Sequence, residues 1–81
     1  MTENEVLKAI GALTLHLEQE VNDIEKLVER GRLYMKIERR DLALNDFNRV
    51  LAIDSEHIEA NSYVLLLSSI DDYFYNQTYN V

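Results

Sequence analysis

The chain has no cysteine, no proline and no tryptophan, and glycine occurs only as Gly11 and Gly31. Without cysteine there is no disulfide framework, no thiolate metal ligand and no thiol nucleophile. Without proline, and with so few glycines, little punctuates the chain for the turns of a many-stranded sheet, so the default is an all-α domain. Cations are scarce as well: 8 Lys and Arg stand against 15 Asp and Glu, a formal net charge of −7. That balance disfavours nucleic acid as a partner, because each phosphate contact needs a local cation and the rest of the surface repels. No apolar run approaches the roughly 18 residues of a membrane span. The opening MTENEV is acidic where a signal peptide would be basic, so a cytoplasmic chain with no membrane partner is expected.

What the 81 residues do contain is an apolar fraction of 47%, which excludes a disordered chain and marks a single small domain over residues 1–81. Val6, Ile10, Leu13 and Leu17 draw one apolar stripe and predict a helix over 3–19, with Thr2 or Asn4 as its cap. Asn22, followed three residues later by Glu25, makes a capping-box pattern ahead of Ile24, Leu27, Gly31 and Tyr34, predicting a second helix over 23–37. Asp41 is the expected cap of a third, which carries Ala43, Phe47, Val50 and Leu51 on one face and ends near Ile53. Asp54 or Ser55 is expected to cap a fourth helix over 56–70, with Glu56 in its first turn. Its stretch YVLLL at 63–67 points apolar side chains in every direction, so both sides of that helix need cover. The tail 71–81, DDYFYNQTYNV, satisfies neither helical nor strand period, leaving a prolonged helix, an irregular cover and a loose end all open.

A glycine inside a helix costs about 1 kcal/mol relative to alanine, so Gly31 marks a place where two backbones approach closely. Gly31 and Tyr34 on one helix, then Ala43 and Phe47 on the next, supply a small and a large residue each, and an antiparallel pair can seat the bulk of one helix against the small residue of the other. With Leu27 ahead of them, these residues resemble the tetratricopeptide repeat, a 34-residue helix-turn-helix unit. Gly31, Tyr34, Ala43 and Phe47 match its pattern in identity and spacing, and Leu27 replaces its first aromatic. Arg30 stands where the pattern has leucine, Ser55 where it has proline, and the turn at Glu38–Arg40 lacks the usual glycine. The repeat-like unit covers about 24–57. By the same period helix one is the second half of an earlier unit, and helix four is a capping helix with Leu65 at the glycine's place.

The resemblance implies an antiparallel helix-turn-helix bundle of about four helices, a fragment of a right-handed α-α superhelix. It implies a scaffold that holds a peptide or helix of a partner protein in a groove. The groove residues it implies are Glu25, Val28, Arg32, Met35, Lys36 and Leu66, with Arg32 and Lys36 contacting a carboxylate of an acidic partner. Segment 26–40 is the basic part of the chain, Lys26, Arg30, Arg32, Lys36, Arg39 and Arg40 against Glu29 and Glu38; intramolecular pairing with acidic neighbours is the alternative use of those cations. Helices one and two also fit a heptad, so a single long helix in a coiled-coil hairpin is a competing fold. Self-association through helix four, giving a homodimer, is a competing function.

Chemistry is thinly represented. There is no phosphate-cradling glycine loop and no G-x-S-x-G serine. His16 with Glu20, and His57 with Glu56 and Glu59, offer too few ligands for a metal. His16 is expected to pack on the apolar face at the position equivalent to Val50, and His57 to be exposed. Carboxylate pairs such as Glu18/Glu20 and Asp71/Asp72 carry no sign of the burial that acid catalysis needs. A non-enzymatic chain without cofactor is expected.

Overall fold

Each helix begins where its unpaired backbone N–H groups find an acceptor. The computed structural model describes the backbone of residues 1–79 and the side chains of residues 1–69. Helix α1 (Glu3–Gln19) opens on a reciprocal capping box, with the Glu5 N–H donating to Thr2 Oγ1 at 3.2 Å and the Thr2 N–H to Glu5 Oε1 at 3.0 Å. Helix α2 (Ile24–Lys36) is capped by Asp23, which accepts from the Lys26 N–H at 3.2 Å. Asn22, expected in that role, instead accepts from the Arg49 guanidinium at 3.2 Å. Helix α3 (Arg40–Ile53) starts one residue before the expected cap. Asp41 therefore falls in its first turn, where the Arg39 guanidinium takes the carboxylate at 3.1 and 3.2 Å.

Helix α4 (Ile58–Tyr79) departs further from expectation. Its cap is His57, whose Nδ1 accepts from the Ala60 N–H at 3.1 Å, while Asp54 is used one turn earlier to accept from the Glu56 N–H. His57 is accordingly half-buried rather than exposed. Of the readings open for the tail, the backbone takes the prolonged helix as far as Tyr79; residues 80–81 and the tail's side chains lie outside the described residues. No strand occurs among the described residues, and the break at residues 20–23 removes the continuous heptad helix as a fold.

Every helix packs chiefly on its neighbours in the chain, α2 on α3 most extensively, in a slab of 45 × 32 × 18 Å. The thin dimension is that of two helix layers. The main core joins Leu17, Leu27, Val28, Ala43, Phe47, Val50, Ala60 and Leu67, and a second cluster joins Val6, Ile10, Leu13 and Leu33 where α1 meets α2. Tyr34 touches both. Gly31 is the point of closest approach: a Cβ there would stand 2.7 Å from Cζ of Phe47. The other face of the Phe47 ring stacks on Tyr63 of α4 at 4.6 Å, so one fully buried ring ties three helices.

The α2–α3 turn is made without glycine. Glu38 holds φ 60°, the left-handed conformation in which a Cβ is strained by about 1–2 kcal/mol. Backbone bonds from Glu38 and Arg39 to the carbonyls of Met35 and Tyr34, at 3.1 and 2.9 Å, close the end of α2 around it.

Candidate partner-binding face

Helices α2 and α4 lie on the same side of α3, and between them runs a cleft of about 430 Å³ lined by Glu25, Lys26, Val28, Glu29, Arg32, His57 and Glu59. Its rim is held across the gap by a two-pronged ion pair, Arg32 Nε to Glu59 Oε2 at 2.8 Å and Arg32 Nη2 to Glu59 Oε1 at 3.3 Å. Both side chains remain solvated, 50% and 39% exposed, so the pair is worth about 0–1 kcal/mol and exchanges readily. Lys26 pairs more loosely with Glu29 at 3.4 Å.

Of the expected groove residues, Glu25, Val28 and Arg32 meet in this cleft. Val28, at 3% exposure, belongs to the main core and forms the cleft's floor. Met35 is half-buried against the same core. Lys36 is exposed but lies at the far end of α2, in a separate cleft of about 480 Å³ with Met1, Glu3, Val6, Ile37 and Glu38. Leu66 is 51% exposed on α4. The cleft itself is not basic, since Glu25, Glu29 and Glu59 outnumber Lys26 and Arg32. Leu27, Gly31, Tyr34, Ala43 and Phe47 all take structural places in the α2–α3 packing.

Two constellations escaped the sequence reading. Arg30, noted as a departure from a leucine and as one cation of the basic segment but with no partner named, donates from Nε and Nη2 to the two carboxylate oxygens of Asp46 at 2.9 and 2.7 Å, and from Nη1 to Thr14 at 3.2 Å. Thr14 passes the chain on to the Ile10 carbonyl at 2.8 Å, and the guanidinium lies 5.8 Å from the Tyr34 ring centre. The pair is shielded, 19% and 6% exposed, and the hydrogen bonds that the guanidinium donates to Asp46 push it above its ordinary value against the opposite pull of burial. The signal was an aspartate on the buried stripe of α3, between Ala43 and Val50, which demands a cation.

The second is His16. It does not pack on an apolar face: its ring is exposed and its Nε2 bonds Asp23 Oδ2 at 2.8 Å. That bond, and after it the Lys26 N–H, holds the Asp23 carboxyl below its ordinary range. No group of three or more metal-binding side chains occurs among the described residues, and no helix there is long and apolar enough to cross a membrane. The chain matches no protein-family model, no curated protein and no solved structure.

Proposed function

We propose that the chain is a protein-binding module built as a single tetratricopeptide-like unit with flanking helices, and that the α2–α4 cleft receives a peptide or helix of a partner protein. The observation that carries the reading is the Arg32–Glu59 pair. A guanidinium held two-pronged by a carboxylate on the facing helix is already arranged to hold a carboxylate from a second chain. In this reading a partner's Asp or Glu replaces Glu59 on Arg32, while the apolar floor at Val28 takes an adjoining side chain. Glu59 thus sets a threshold: only a carboxylate brought in by further contacts displaces it.

The test is selection of binders from a random peptide library, followed by mapping of amide shifts in the labelled protein. Selected peptides that share one Asp or Glu beside an apolar residue, with shifts concentrated at Glu25, Arg32, His57 and Glu59, are expected. Arg32→Glu should abolish binding, and Glu59→Gln should tighten it about 3- to 10-fold by removing the internal competitor. Binders whose shifts avoid the cleft, or that bind Arg32→Glu unchanged, would sink the proposal.

A further inference from the structure

Helix α4 turns Ala60, Val64 and Leu67 toward α3, and the opposite face carries Ile58 and Leu65 at 83% and 71% exposure. Among the described residues no helix covers that face. Its make-up differs from the rest of the surface. Ile58, Ser62, Leu65 and Ser69 follow one another at steps of four, three and four, flanked by Asn61 and Leu66, and none is charged. The chain as a whole is 28% charged residues. Depletion of charge around exposed large apolar side chains is the compositional mark of an interface core.

The order of side chains identifies the occupant. When two copies of α4 are laid antiparallel about a two-fold axis between Tyr63 and Val64, Ile58 of each copy meets Ser69 of the other. Ser62 then meets Leu65, and Asn61 meets Leu66. Every large side chain then faces a small or polar one, so the two faces can interdigitate. The donors of Ser62 and Asn61 are already engaged by carbonyls of their own chain and can be covered at little cost. Ser62 Oγ donates to the Ile58 carbonyl at 3.1 Å, and Asn61 Nδ2 donates to the Ser55 and His57 carbonyls at 3.1 and 3.0 Å. At a net charge of −7 most faces of two copies repel, and Ile58, Ser62, Leu65 and Ser69 carry no charge of their own. We infer that the outer face of α4 pairs with the same face of a second copy, antiparallel, in register at Ile58–Ser69 and Ser62–Leu65. The seam lies on the side of α4 away from the core, and its existence does not depend on the cleft reading.

The patch is small, so the dimer is expected to be weak, with a dissociation constant on the order of micromolar, and to tighten as salt screens the net charge. Sedimentation equilibrium of the full chain should show a mass rising from 9.5 kDa toward twice that value with concentration. Leu65→Glu, at a site already exposed, should hold it at the monomer while helicity and Arg32-dependent peptide binding persist. Register is read by disulfides, since the chain has no cysteine of its own. Ile58→Cys and Ser69→Cys chains, mixed and oxidised, should cross-link to each other and not to themselves. A monomer at every concentration, a Leu65→Glu chain that still dimerises, or Ser69→Cys chains that link to themselves would each overturn the inference. Capture of a foreign helix by the same face in a chain that stays monomeric would do so as well.

Discussion

Two arginines, Arg30 and Arg32, stand on either side of Gly31 on α2, each gripping a carboxylate of a facing helix at two points, and the two pairs do different work. Arg30 reaches Asp46 where side-chain exposure is 19% and 6%; Arg32 reaches Glu59 where it is 50% and 39%. The chemistry is the same and the solvent is not. In the shielded pair neither partner has water to fall back on, so the pair fixes the seating of α1, α2 and α3 on one another. In the solvated pair water competes for both groups, so the bond is cheap to open and suited to exchange. Surroundings, not residue type, separate an architectural arginine from an adaptable one.

The largest test of that contrast is Asp46→Ala, which strands the Arg30 guanidinium and is expected to destabilise the fold by about 3–5 kcal/mol in urea melts. Replacing both members, Arg30→Met with Asp46→Leu, should recover most of that loss, as removal of an entire buried pair does. Next comes Gly31→Ala. Its Cβ would meet a Phe47 ring pinned from behind by Tyr63, so α3 must move off α2, stretching the Arg30–Asp46 bonds and sparing Arg32–Glu59. A loss of about 1–3 kcal/mol is expected despite alanine's better helix propensity. Glu38→Gly, which relieves the left-handed turn between the two helices, should raise stability by about 1 kcal/mol by the same melts. Glu59→Gln should change stability by less than about 1 kcal/mol, even as it alters binding.

The smallest effect concerns acid. Asp23 is depressed below its ordinary 3.8 in the fold, so its stabilising share is complete above that pH and is lost as pH falls through the lower folded value. Asp23→Asn keeps an N-cap acceptor but no titrating charge. Its unfolding midpoint, followed from neutral pH to pH 2, should show a shallower acid limb than the parent chain.

Much of this architecture was legible in the sequence. The stripe Val6–Leu17 gave α1 its bounds, with Thr2 one of the two caps left open, and Gly31 with Phe47 marked a tight contact, whereas the other mid-helix glycine, Gly11, has open space beside it. The cleft was half legible. Glu25, Val28 and Arg32 line one cleft, while Lys36 lines another, and no pattern within α2 records where α4 settles against it. Arg30 and Asp46 lie sixteen residues apart on different helices, so their pairing follows from packing alone. The start of α4 was misplaced because Asp54, Ser55 and His57 are all competent caps, and the choice among them turns on how the backbone leaves α3.

The nearest-neighbour packing of the helices also bears on how the molecule assembles in time. Only the residues 37–39 separate α2 from α3, and comparably short links join the other pairs, so no contact waits on closure of a long loop. Low contact order of this kind places folding in the microsecond-to-millisecond range. The Gly31–Phe47 hairpin, closest in space and nearly so in sequence, is the natural nucleus, onto which α1 and α4 zip from either side. The same order run backwards makes the two outer helices the first to let go of their amide protons, while α2 and α3 exchange only when the whole chain opens.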